Sequence, residues 1–183
     1  MMNKRLKQGS TFLLAVALTF PLLTLPGAKA ASAINTGQKC SIEFDISGNS
    51  SELLSASIPV NLYKVASVDE SGNYTATDAF SKLDLSSVSA DNLDAAAATW
   101  AERAKEAQGK LTDSKGNTVV DPTETVTLQN GRGYQDKLDT GLYLVDTPKV
   151  ITTNYTYTFT PYLVSLPTNN YYSGNGASDD WIY

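Results

Sequence analysis

Apolar and polar residues alternate along much of this chain, and the alternation starts at Cys40. Cys40, Ile42, Phe44 and Ile46 are separated by Ser41, Glu43 and Asp45. A period of two places one face of a strand in a core and the other in water. Gly48, Asn49, Ser50 and Ser51 end that strand. Ile58, Val60 and Leu62 resume the pattern and run on through Tyr63, Lys64 and Val65. Asp69-Glu70-Ser71-Gly72-Asn73 then supplies turn residues, and Tyr74 and Thr75 begin a return strand, so the stretch predicts a hairpin.

A second short hairpin is predicted around Asp113-Ser114-Lys115-Gly116-Asn117, between Lys110-Leu111-Thr112 and Thr118-Val119-Val120. Further strands are read at 125–128, 141–145, 155–159 and 162–166. Pro148 marks a strand end or edge. Residues 91–108 change period: Leu93, Ala97, Trp100, Ala104 and Ala107 recur at steps of three and four, which predicts a helix. Asp91 is placed to cap it and Gly109 to end it. Glu102, Arg103, Lys105 and Glu106 are expected to face outward, with Trp100 pinning the helix to a sheet. Many short strands with turn signals and one helix make a mainly β fold. The expectation is an immunoglobulin-like or prealbumin-like β-sandwich with one α-helix inserted at about residues 91–108.

The first thirty residues break this pattern. Lys4, Arg5 and Lys7 precede an almost unbroken apolar run over 11–25, and Pro26 and Gly27 interrupt it ahead of small residues. This is the three-part layout of a secretory signal peptide, with cleavage read between Ala30 and Ala31 and a second possible point after Ala33. The run is short for a membrane span, which needs roughly 20 residues. The expected organisation is a signal peptide over 1–30, one β-sandwich domain over 31–167, and a polar, Gly-rich linker over 168–183. The membrane would be met only during export.

Composition then narrows the chemistry. The 183 residues carry 14 Lys and Arg and 19 Asp and Glu. Lys4, Arg5, Lys7 and Lys29 lie in the leader. The 153 residues after Ala30 therefore keep ten basic against nineteen acidic side chains, a net charge of −9. So acidic a surface argues against binding nucleic acid. The chain has no histidine and one cysteine. Triads built on imidazole are thereby excluded, the usual zinc sites are disfavoured, and no metal or cofactor is expected. Cys40 has no internal disulfide partner and reads as a small buried hydrophobe at the head of a strand. Nineteen acids always permit a carboxylate pair, so no glycosidase-like pair stands out, and no enzymatic activity is expected.

Three stretches carry a resemblance: Val60-Asn61-Leu62-Tyr63-Lys64-Val65-Ala66, Gly141-Leu142-Tyr143-Leu144-Val145, and Phe159-Thr160-Pro161-Tyr162-Leu163-Val164-Ser165-Leu166-Pro167. In this order and spacing they resemble the N-terminal domain of Gram-positive sortase-assembled pilin subunits, the family with collagen-adhesin B-type domains. The segment Asp179-Asp180-Trp181-Ile182-Tyr183 resembles the lead-in to that family's pilin motif, with Trp181 and Tyr183 as its recognisable residues. The resemblance implies a structural subunit of a cell-surface pilus, exported, joined covalently to other pilin subunits by a sortase, and displayed on the cell wall in support of adhesion. It also implies that the chain continues past Tyr183 to the linking lysine. An internal isopeptide bond is a further family feature, for which Lys64 is the candidate donor and Asp146 stands where the catalytic acid would be. An alternative function is a surface adhesin module binding host extracellular-matrix protein or glycan, because Tyr155, Tyr157, Tyr162, Tyr171 and Tyr172 enrich the last third in a residue suited to recognition.

Overall fold

The computed structural model describes residues 9–12, 33–88, 90, 97–169 and 181–183. The leader cleavage point at Ala30 and Ala31, the helix start at 91–96, and Tyr171, Tyr172, Asp179 and Asp180 lie outside these residues. Within them the fold is mainly β: a β-sandwich with one helix longer than a single turn.

Its centre is β3 (Ile58–Val68), the longest strand. Antiparallel to it runs β7 (Gly141–Asp146), which pairs in turn with β10 (Tyr162–Leu166). Along its other side β3 pairs first with β5 (Glu124–Leu128) and then with β4 (Tyr74–Ala76). Alternation explains why this sheet can be covered twice. Ile58, Val60 and Leu62 of β3, with Tyr143 and Val145 of β7, enter one core cluster. Tyr63 and Val65, with Leu142 and Leu144, enter the other.

The first cluster is closed by β2 (Cys40–Asp45) and by Leu53, Leu138 and Tyr157. Cys40, Ile42, Phe44 and Ile46 point into it as their period of two requires, and Phe44 is fully buried. The second is closed by α2 (Ala97–Gln108), through Ala104 and Ala107, and by Phe80, Leu83, Leu85 and Val88 from the connection after β4. Trp100 is half-buried against this side, so the helix packs by the stripe expected of it. Two details differ. Ala97 is exposed, and Arg103 is drawn in against the fold, where it pairs with Glu106 at 2.5 Å.

Several elements had no signal in the periodicity, the strands Arg132–Leu138 and Val150–Ile151 and the one-turn helix Ser51–Leu54 among them. The strand β6 (Arg132–Leu138) pairs with β2, yet only Leu138 at its end is buried. Its residues Arg-Gly-Tyr-Gln-Asp-Lys-Leu carry no alternation to detect, because the strand is bulged and mostly faces water. Lys137 sits in the bulge at φ 60°, in the left-handed region that side chains other than glycine rarely adopt. The one-turn helix α1 (Ser51–Leu54) replaces the plain turn expected there, with Ser50 capping it by accepting from the Leu53 N–H. The strand β8 (Val150–Ile151) pairs with β9 (Thr156–Phe159). Conversely, the second predicted hairpin keeps its turn but shrinks to one bridge, Thr112 to Thr118.

The two Asp-x-x-Gly-Asn turns are built alike. Asp69 accepts from the N–H groups of Ser71 and Asn73 and from the Asn73 amide. Asp113 accepts from Lys115 and Asn117 in the same way. Gly72 at φ 85° and Gly116 at φ 82° supply the left-handed residue each turn needs. Both carboxylates are thus consumed by their own loops.

Candidate assembly site

The three stretches that carry the pilin resemblance are far apart in sequence. In space they are neighbours: β10, β7 and β3 lie side by side, with Val164 opposite Tyr143 and Tyr143 opposite Lys64. The long-range pairing follows from alternation on two faces, which leaves β7 nowhere to go but the middle of the sheet.

Gly141 begins β7 at φ 152°. A Cβ at this position would meet the Ala66 carbonyl oxygen and would lie 3.0 Å from Lys64 Cε. The absent side chain therefore lets β7 run close beneath a bulge in β3 between Lys64 and Ala66. The alternation that buries Ile58, Val60 and Leu62 in the first core cluster also turns Lys64, opposite Tyr143, toward that cluster's rim. There Lys64 Nζ lies 3.7 Å from Asp139 Oδ2, and Lys39 Nζ lies 2.5 Å from Asp139 Oδ1. The Tyr143 hydroxyl donates to the Asp139 carbonyl at 2.9 Å. Hydrogen bonding from Lys39, then the Lys64 charge, holds the Asp139 carboxyl below its ordinary value. Cys40 is buried beside this group, and burial, helped by the Asp139 charge, pushes its thiol up to about 11. Burial likewise raises the Tyr143 hydroxyl.

Lys64 and Asp146, the pair suggested from sequence, are not brought together. Asp146 lies opposite Asn61 on the ladder, three positions from Lys64. An odd offset puts the two side chains on opposite faces of the sheet. Asp146 is on the helix side, where Gln108 Nε2 donates to Asp146 Oδ1 at 2.6 Å. Asn61 instead receives the Thr125 hydroxyl at 2.9 Å. The acid that Lys64 meets is Asp139, which the sequence did not single out. Its side chain is 60% exposed, so the pair is a solvated ion pair, and an amide-forming site needs a desolvated one.

The stretch read as a linker returns to the fold at both ends. The strand β11 (Thr168–Asn169) pairs antiparallel with β12 (Trp181–Ile182). Trp181 packs against Ile34, Val68 and Ala90. Tyr183 packs on the first core cluster, and its hydroxyl accepts from the Asn35 N–H at 2.6 Å. The two residues that resemble the pilin-motif lead-in therefore close the same pole at which the first described residues of the domain, from Ala33 on, enter. An apolar Trp-Ile-Tyr run after a polar tail was the available signal for this docking.

Among the described residues no group of three or more His, Cys, Asp or Glu side chains is placed to hold a metal ion, and no helix is long and apolar enough to cross a membrane. Over the described residues the fold and this pole define a β-sandwich domain with one helix longer than a single turn and a docked strand at Trp181–Ile182. Against known proteins, no family profile matches the chain and no curated sequence matches it.

Proposed function

We propose that this chain is the N-terminal part of a structural subunit of a cell-surface pilus, exported by its leader and joined to other pilin subunits by a sortase. The observation that carries the reading is the coincidence of the three pilin-like stretches in adjacent strands of one sheet, with Trp181 and Tyr183 docked at its pole. Strands paired by hydrogen bonds across a doubly covered sheet bear load, and the protein turns over no substrate. The subunit stands on the cell wall and contributes to adhesion.

An antiserum against residues 31–183 tests this. Cell-wall extracts of the producing bacterium should show a ladder of detergent-resistant, high-mass species that collapses to one band when the sortase is inactivated. A single secreted band in both strains refutes the reading. The adhesin alternative draws on two exposed aromatics, Tyr134 at 61% and Tyr155 at 42% exposure. Binding of the isolated domain to matrix proteins or a glycan array, lost in Tyr134→Ala or Tyr155→Ala, would favour it.

A further inference from the structure

The strand β9 has an edge that accepts another strand. In the ladder with β8, Val150 lies opposite Tyr157 and Ile151 opposite Thr156, and the Thr152 N–H donates to the Tyr155 carbonyl at 2.9 Å. Backbone groups alternate in direction along an antiparallel strand. Those of Tyr155 and Tyr157 therefore serve β8, and those of Thr156 and Thr158 point the other way. On that other side lies β1 (Gly9–Phe12), parallel to β9 from Thr156 to Phe159. These four residues belong to the leader. Once the leader is removed, the edge has no partner among the described residues.

The hairpin that presents this edge is anchored. Glu52 takes the Asn154 N–H at 2.9 Å and the Asn154 amide at 3.2 Å. Ser50 and Tyr157 share a hydrogen bond between their hydroxyls at 2.9 Å. Tyr157 is buried, whereas Thr158 is exposed and Ile151 is 62% exposed.

We infer that the mature protein self-associates through this edge, β9 of one copy pairing antiparallel with β9 of a second. Two observations select a second copy as the occupant. The segment Val150-Ile151-Thr152-Thr153-Asn154-Tyr155-Thr156-Tyr157-Thr158-Phe159 contains no charge, no proline and no glycine. Short as it is, it lacks the charges and the proline that often blunt an exposed edge. The mature chain also carries a net charge of −9, so two copies repel over most of their surfaces, and this uncharged hairpin, with Glu52 as the one carboxylate bonded to it, is where that repulsion is least. Pairing centred on Tyr157 sets Thr156 opposite Thr158 of the second copy, which uses the outward backbone groups of both. Such an isologous contact closes on itself. It joins subunits side by side and does not extend a filament, so it adds lateral bundling to the proposed role and depends on removal of the leader.

Sedimentation equilibrium on residues 31–183 tests this. So short a ladder makes a small interface, and a dissociation constant of about 0.1 mM is expected. Thr158→Lys places a charge on the exposed edge position and should leave the protein monomeric at every concentration, with an unchanged circular dichroism spectrum. Tyr134→Lys, on β6 in a different sheet, should associate like the wild type. A wild type that stays monomeric well above that concentration overturns the inference. So does a Thr158→Lys variant that still associates. Either result leaves the pilus-subunit reading intact, which the surface ladder tests separately.

Discussion

Two tyrosines on neighbouring strands of the central sheet, Tyr143 and Tyr162, should respond to the same substitution with opposite signs. The Tyr143 ring is fully buried and its hydroxyl donates to the Asp139 carbonyl at 2.9 Å. The Tyr162 hydroxyl is buried with no hydrogen-bond partner. In Tyr143→Phe the ring stays and one satisfied bond is lost, which costs about 1 kcal/mol, a figure kept low because water can reach the freed carbonyl of the exposed Asp139. In Tyr162→Phe a hydroxyl already stripped of water, with nothing in return, is removed, and the protein should gain about 1 kcal/mol. For a chain of this size each such change moves the melting temperature by about 2–4 °C. Urea unfolding of residues 31–183, with equal slopes for all three proteins, would give the two differences directly. Destabilisation by both substitutions, or a stabilised Tyr143→Phe, would refute the assignment of partners at these hydroxyls.

Gly141→Ala should be worse than any conservative change in the core. It adds a Cβ against the Ala66 carbonyl at a positive φ, for about 2–5 kcal/mol from strain and overpacking together, read by the same urea titration. Cys40 should resist a thiol reagent at pH 8 in the folded protein and react at once in denaturant. Its raised value of about 11 against an ordinary 9.0 means a contribution to stability that is full below pH 9 and lost as the pH climbs toward 11. Asp139 shows the reverse sign: its lowered value gives a contribution present above the ordinary 3.8 and lost as the pH falls below it. Lys39→Ala should therefore flatten the drop in urea midpoint between pH 5 and pH 3. Intact-mass measurement of residues 31–183 should return the sequence mass, since Lys64 meets a solvated Asp139 and lies on the opposite face from Asp146. A deficit of one water or one ammonia mapped to Lys64 would overturn that.

The strands with one clean apolar face were legible before any coordinates. Gly141 to Val145 reads as an unbroken apolar run because β7 is buried on both faces, whereas Cys40 to Ile46 and Ile58 to Leu62 announce themselves because burial selects every second side chain, and that selection is written locally. The helix was legible for the same reason at a different period, at Trp100, Ala104 and Ala107. The strand β6 was not, because a bulged strand facing water is under no such selection, and its pairing with β2 rests on backbone groups that every residue shares. The short β8 and the docking of Trp181 and Tyr183 were equally silent in periodicity.

Which acid meets Lys64 was decided only in three dimensions. Asp146 and Asp139 are both near β7 in sequence, and both are carboxylates within reach of a strand end. The choice depends on the parity of the ladder between β3 and β7. Parity is a property of two strands in register, set by the whole sheet's packing, and no local pattern in either strand contains it. Local chemistry determined that this chain makes sheets and one helix. Tertiary register determined which side chains on those sheets face one another.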